Sequence, residues 1–277
     1  DQSDVLAPFR ERFHIPPHGA GTSLYFTGNS LGLQPKGARE IIDGELEDWR
    51  QYGVEAHFEG RRPWVAYHRE ATADLAAIVG AQPEEVVAMN ALTVNLHLLL
   101  ISFYRPQGER TKLMIEAGAF PSDRYAALSQ LRLHGLDPEE HLIEIAPRAG
   151  EHTLRTEDIT ARIAQEGNTL ACVMLCGVQY YTGQWMPMGE ITEAAHAVGA
   201  TCGFDLAHAA GNVPLQLHDL AARIAAQLGI QVAERLIHQK DIWFTNNRPC
   251  KRHPLSLTAR KLMRICIETS FYIVYFY

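Results

Sequence analysis

Four short segments of this chain carry residue types that could bind an anion, stack on an aromatic ring or hold a proton. In Asn90-Ala91-Leu92-Thr93-Val94-Asn95 an apolar run gives way to a helix-like pattern at Thr93. Backbone N–H groups at a helix start favour an anion, and a hydroxyl there adds a donor; the plain alternative is a threonine that only caps the helix. Phe120-Pro121-Ser122-Asp123 sets an aromatic ring beside a hydroxyl and a carboxylate. Phe120 could stack on a planar ligand, or Ser122 or Asp123 could simply cap the next helix, with Pro121 in the turn. In Gly177-Val178-Gln179-Tyr180-Tyr181-Thr182-Gly183 two tyrosines either line a pocket or pack under a loop. Gly203-Phe204-Asp205-Leu206-Ala207-His208 ends an apolar run in an acid. Burying an acid is costly unless it is paired. Asp205 is therefore either the partner of a protonated ring nitrogen, with His208 beside it, or the cap of the following helix.

Each segment follows a predicted strand, and in a parallel α/β sheet ligands bind outside the carboxyl ends of the strands. The predicted strands are Glu84–Met89, Lys112–Glu116, His141–Ile145, Thr169–Cys176 and Thr201–Asp205. The run TLACVMLC is apolar throughout, as a strand buried on both faces should be. Helical spacing is predicted over Gly37–Tyr52, Pro63–Val79, Thr93–Phe103, Ser122–His134, Thr156–Gln165, Ile191–Val198 and Ala221–Leu236. Thr153 and Thr156 to Asp158 read as the capping pattern of the fifth of these. A strand turning at glycines is expected over Tyr25–Gly32, and residues 1–24 read as a short helix and a Pro/Gly loop. Alternating strands and helices define an α/β class with a mainly parallel sheet flanked by helices. The segment 246–254 reads as turn-rich and basic, and the apolar ending FYIVYFY has no visible partner pattern.

Composition narrows the function. The chain has 277 residues, 47% hydrophobic and 21% charged, with a net charge of −7. No basic excess exists to meet phosphates, so nucleic acid is not an expected partner. No apolar run reaches the length of a membrane span, no signal peptide is evident, and no metal site is expected. Five cysteines without a C-x-x-C pair read as reduced thiols, which suits a cytoplasmic protein.

Taken together, a phosphate seat, a stacking aromatic and a strand-end acid, in that order, describe a pyridoxal-phosphate (PLP) site. At this point the chain resembles the kynureninases. The runs that carry the resemblance are YFTGNSLGLQPK (25–36), RRPW (61–64), MNALTVNLHLLL (89–100), AFPSDRYA (119–126), LRLHGLDPEE (131–140), YYTGQ (180–184) and GFDLAHAAGNVPLQLHD (203–219). The resemblance implies the large domain of a PLP-transferase-type fold, a PLP cofactor, and hydrolysis of L-kynurenine or 3-hydroxykynurenine in tryptophan catabolism and NAD biosynthesis. It also implies a cytoplasmic homodimer. Leu92, Thr93 and Ser122 would seat the phosphate or its surroundings. Phe120 would stack on the pyridine ring, flanked by Pro121 and Asp123; Asp205 would pair with the ring nitrogen, with His208 beside it. Cys176 stands where a serine is expected. His57 would face substrate, with Asn29 and Ser30 bordering the same pocket.

The resemblance stops after Asp219. A Ser-Tyr-Lys-Tyr motif, whose lysine carries the cofactor, is expected next, but the sequence reads LAARIAAQLGIQVAERLIHQK. The lysines are Lys36, Lys112, Lys240, Lys251 and Lys261, and none matches, so no catalytic lysine is assigned. The expected organisation is an N-terminal arm with substrate-side loops (1–60), an incomplete PLP-binding domain (61–219) and a non-family tail (220–277), with the C-terminal small domain largely missing. Two functions follow: a kynureninase-family hydrolase impaired in this chain, or a non-catalytic product that binds PLP weakly or pairs with a full-length subunit.

Overall fold

A computed structural model describes residues 3–219, and the backbone of two strands at 264–267 and 273–276. The helix expected over Ala221–Leu236, the basic segment 246–254, and Lys240, Lys251 and Lys261 lie outside the described residues. The chain divides into two units, Asp1–Ala71 and Thr72–Tyr277.

The first unit holds a 3-10 turn at Ala7–Arg12, the two-residue strands β1 (Pro17–His18) and β2 (Gly21–Thr22), helix α1 (Ala38–Tyr52), 3-10 turns at Gly53–His57 and Trp64–Ala66, and the short helix α2 (Tyr67–Glu70). The RRPW segment is tied to α1. Buried Asp48 accepts hydrogen bonds from the Arg61 N–H (2.9 Å) and Nε (3.1 Å), and the Trp64 indole donates to Glu45 (3.1 Å). Two expectations are corrected here. No strand forms over Tyr25–Gly32; residues 28–30 make a turn, and Leu24 and Phe26 stand 86% and 87% exposed, with no strand among the described residues pairing their backbone. The helix expected over Pro63–Val79 breaks into a 3-10 turn, α2 and α3 (Thr72–Val79). The turn Tyr67–Glu70 buries no residue, and helices draw most of their stability from packing an apolar face.

In the second unit, α3 is followed by β3 (Val86–Ala88), α4 (Leu92–Phe103), β4 (Lys112–Glu116), α5 (Pro121–Leu133), α6 (Pro138–His141), β5 (Leu142–Ile145), α7 (Thr156–Glu166), β6 (Leu170–Cys176), α8 (Met188–Ala197), β7 (Thr201–Asp205), β8 (Arg264–Ile267) and β9 (Ile273–Phe276). The sheet order is β3-β8-β9-β7-β6-β4-β5. Strands β5, β4, β6 and β7 run parallel, β8 runs parallel to β3, and β9 is antiparallel to both β7 and β8. The apolar ending thus finds a partner, with Asp205 opposite Val274 in register.

Side chains of a strand alternate between faces, and the core follows that rule. Met114, Val173, Leu175, Cys202 and Phe204 pack on one face with Ile159 and Ile163 of α7 and Ile191 and Ala195 of α8. Leu113, Ile115, Cys172 and Met174 pack on the other with Leu96 and Leu100 of α4 and Ala127 and Leu131 of α5. Both faces are covered, as an all-apolar parallel strand requires. Helix α7 opens at Arg155 with no side-chain cap, in place of the expected threonine pattern; Asp158 is drawn instead to Arg148 (Nε–Oδ2 2.7 Å).

Gly80 shows how tightly the ends are closed. Its φ is +62°, a Cβ there would lie 2.2 Å from the Leu215 carbonyl oxygen, and its own carbonyl accepts the His218 N–H at 2.9 Å. Gly80→Ala adds a left-handed strain and a backbone clash, so we expect a loss of about 3 kcal/mol in the urea unfolding free energy. A loss within error of zero would contradict this packing.

Candidate functional site

The carboxyl ends of β4, β6 and β7 carry Glu116, Cys176 and Asp205, and Cys176 and Asp205 are register partners. Asp205 is 4% exposed, Glu116 3%, and Asp123, in the first turn of α5, 3%. The Asp123 and Asp205 carboxyls lie close enough to interact, each altering the other's proton affinity. Ser122 donates to Asp123 (3.2 Å), the Ala207 N–H donates to Asp205 (2.7 Å), and the Cys176 N–H donates to Glu116 (3.3 Å).

Burial is the main cause of the electrostatics. It pushes Asp205 well above the usual carboxylate range, and the neighbouring Asp123 charge pushes the same way. Burial raises Asp123 and Glu116 as well; the His208 charge opposes this at Asp123. Burial, then Glu116 and Asp205, raises the Cys176 thiol far above its ordinary value, so it carries no nucleophilic thiolate.

Three rings gather after the same strands. Phe120 and Tyr180 meet edge-to-face at 5.1 Å, and the His208 ring lies 6.3 Å from Phe120 and 6.1 Å from Tyr180. Glu116 and Tyr180 also line a cavity of about 320 Å³ with Gly118, His152, Leu154 and Gln179. The start of α4 lies at the carboxyl end of β3. Its cap residue is Ala91, with no side-chain cap, so Thr93 sits inside the first turn and is exposed; Leu92 is buried. Buried Asn95 fixes the approach by accepting from the Asn90 N–H (3.1 Å) and donating to the Asn90 carbonyl (2.7 Å).

The alternatives left open by sequence resolve in the following way. Thr93 does not cap its helix. Neither Ser122 nor Asp123 caps α5, whose cap is Phe120 with Pro121 next; the Ser122 hydroxyl turns to Asp123, and Asp123 turns to Asp205. Asp205 accepts the Ala207 N–H at the start of a turn rather than of a helix, and lies among other buried polar groups. Phe120, Asp123, Cys176, Asp205 and His208 therefore come together. His57 lies in the first unit, exposed, with Nδ1 2.9 Å from the Val54 carbonyl and its ring 5.3 Å from Trp64. Asn29 and Ser30 lie in the same unit's turn at 28–30.

One residue escaped the sequence reading, and another was left open by it. Glu116 ends the apolar strand KLMIE as Asp205 ends TCGFD, so the argument from a strand-end acid applied to both. Tyr180 was visible but undecided until its contact with Phe120 was known. Lys112 is ruled out as a site lysine: it pairs with Glu166 (2.6 Å) at the opposite end of β4, about 13 Å from Glu116 along the strand.

A buried acid that keeps its proton has a pH signature. Glu116 holds its proton more tightly folded than unfolded, so folding takes up a proton above about pH 4, the unfolded value, and stability falls as pH rises through that window. Glu116→Gln removes this loss while its amide oxygen can still accept the Cys176 N–H. We expect its melting temperature to gain on that of the unsubstituted chain as pH rises from the acid side. A difference that stays constant across pH would count against the buried, protonated Glu116.

No family model matches the chain. Curated relatives do: it is 56% identical over 219 residues to the kynureninase of Xanthomonas campestris pv. campestris (strain B100), covering 79% of this chain and 52% of that protein. It is 54% identical over 220 residues to that of Koribacter versatilis (79% and 52%), and 50% identical over 256 residues to that of Myxococcus xanthus (87% and 60%). The Myxococcus match covers more of the chain than residues 1–219 can supply, so it continues past Asp219, further than the resemblance read from the sequence. The fold is similar to that of the cystine C-S lyase C-DES in complex with cysteine persulfide (TM-score 0.56, 16% identity, 71% of this chain and 50% of that one). It is equally similar to a C-DES mutant with glycine covalently linked to the PLP cofactor (TM-score 0.56, 18% identity, the same coverage). The architecture is therefore that of the large domain of PLP-dependent enzymes. The chain spans about half the length of the curated relatives it matches, and across about four-fifths of its own length it is a relative of the kynureninases.

Proposed function

We propose that residues 90–208 form the PLP-binding part of a kynureninase-type hydrolase, whose family reaction converts L-kynurenine, or 3-hydroxykynurenine, to anthranilate, or its hydroxylated form, and L-alanine. The observation that carries this is the buried, interacting Asp205–Asp123 pair, together with the cluster formed by the Phe120, Tyr180 and His208 rings. The negative charge of either carboxylate in this desolvated pair would be neutralised by a protonated pyridine, and an aromatic wall suits a planar ring. The fit is chemical as well as positional, because a neutral sugar or an anion would leave that charge uncompensated. When bound, PLP supplies an electron sink.

The chain's own residues then divide the work. Asp205 holds a proton at the ring nitrogen, and Asp123, fixed by Ser122 and the first turn of α5, interacts with Asp205. Phe120 covers the ring. The first turn of α4, with Leu92 and Thr93, meets the phosphate through backbone N–H groups. His57, Asn29 and Ser30 are assigned to the substrate side on the resemblance alone. Cys176 acts as a neutral neighbour that donates its backbone N–H to Glu116.

No Ser-Tyr-Lys-Tyr motif is present in the chain, which favours the reading that this chain binds PLP without covalent capture and does not turn over kynurenine by itself. Cytoplasmic placement and pairing with a second subunit belong to the same reading. Cys172, Cys176 and Cys202 are free thiols, and Val94, Leu98 and Ile101 leave an exposed apolar stripe on α4. Among the described residues no helix is long and apolar enough to cross a membrane.

The test uses pyridoxamine phosphate, which needs no lysine, in an absorbance titration. We expect saturable binding, and Asp205→Asn weakening it by about 2 kcal/mol, some thirty-fold, as expected for loss of a charged hydrogen bond. Borohydride treatment with PLP should trap no lysine on peptide mapping, and no anthranilate should form from kynurenine. Absence of binding would remove the cofactor assignment; a single trapped lysine with anthranilate release would overturn the non-catalytic reading.

A further inference from the structure

The loop that follows β6 is held at both shoulders by glutamine side chains, and the two do different things. Gln184 reaches outward: its Oε1 accepts the Leu154 N–H (2.8 Å) and its Nε2 donates to the Leu154 carbonyl (2.6 Å), in the manner of a strand partner. Gln179 reaches toward the site. Its Oε1 accepts the Tyr181 N–H (2.6 Å) and the Thr182 N–H (3.0 Å), and its Nε2 donates to the Gly118 carbonyl (2.9 Å). Its backbone is committed as well, donating to the Gln184 carbonyl (2.9 Å) and accepting from Gly183 (2.8 Å). The residue is 8% exposed, so water does not readily replace these bonds, and a buried partner left unpaired is penalised.

The consequence lies in what the amide connects. Gly118, at φ +73°, is two residues before Phe120, and Tyr180 sits between Gln179 and the N–H groups that its side chain captures. Phe120 and Tyr180 come from different loops, after β4 and after β6, yet meet edge-to-face at 5.1 Å. Edge-to-face pairs depend on centroid spacing and tilt, so something must fix one loop against the other.

We infer that Gln179 is the positioning residue of the aromatic wall, its side-chain amide joining the Gly118 carbonyl to the Tyr180 loop and thereby setting how Phe120 is presented to a planar ring. This rests on the cofactor reading for its purpose, but not for its geometry.

Gln179→Glu separates the two roles of the amide. A carboxylate still accepts the Tyr181 and Thr182 N–H groups and cannot donate to Gly118. Gln184→Ala is the comparison, since it removes a similar pair of bonds from the other shoulder. The first readout needs no ligand: aromatic NMR cross-peaks between Phe120 and Tyr180 should be lost or strongly weakened in Gln179→Glu and kept in Gln184→Ala. The second is the induced circular dichroism and affinity of pyridoxamine phosphate. Gln179→Glu should lower the dichroism and weaken binding about five-fold, the size of one hydrogen bond, while Gln184→Ala binds as the unsubstituted chain does. Unchanged cross-peaks in Gln179→Glu would overturn the inference whatever the ligand does. Equal effects from both variants would reduce Gln179 to a loop staple and also overturn it. Lost cross-peaks in a chain that never binds pyridoxamine phosphate would sustain the positioning role and sink the cofactor reading instead.

Discussion

A carboxyl group at the end of a buried strand must be given a proton or a cation, and this site is organised around that requirement. Glu116, Asp123 and Asp205 are each almost fully buried, and burial is the first cause of the raised proton affinity at all three. An isolated buried carboxylate would shift its protonation rather than stay charged. Here the cost is offset by backbone N–H groups from Cys176 and Ala207 and by a histidine charge that favours the ionised Asp123. Such strain is stored at functional sites because a ligand can relieve it. A protonated heterocycle is the kind of ligand that would.

The sheet makes this arrangement possible. Its parallel strands are apolar on both faces and covered by helices on both sides, so the only places open to polar chemistry are the strand ends and the first turns of the helices that follow. That is why Asp205 and Cys176 arrive together in register, and why Asp123, on a helix, can reach Asp205. The same rule sends Lys112 to the other end of β4, where it pairs with Glu166.

This logic explains which parts were legible in the sequence. The strands KLMIE, TLACVMLC and TCGFD announce themselves by composition, and their positions in the structure agree to within a residue or so. Phe120, Asp123 and His208 were legible because each lies shortly after a strand, and Asp205 because it ends one. Glu116 ends its strand in the same way and carries the same signal. Tyr25–Gly32 misled because an apolar–polar run with glycines suggests a strand, while pairing depends on a partner that no local pattern encodes. The pairing of Ile273–Phe276 with β7 was invisible for the same reason. Gln179 gave no signal at all, since its role consists of three bonds to backbone atoms whose positions only the folded loops define.

The physical separation between holding a cofactor and capturing it covalently follows from the same geometry. In the proposed site the ring nitrogen, ring face and phosphate would each be met by residues between 90 and 208, positioned by strands β3, β4, β6 and β7 and the starts of α4 and α5. None of these contacts depends on a lysine. A lysine would add a bond to the cofactor's carbonyl carbon, and the resemblance to the kynureninases sets the motif that carries it after Asp219. Homology across the first of these groups therefore specifies a binding site, and the sequence after Asp219 decides separately whether that site can react. Because the charge balance at Asp205 does not involve the lysine, affinity for the ring and competence for turnover are independent properties of the chain, and a high identity to active relatives argues directly only for the first.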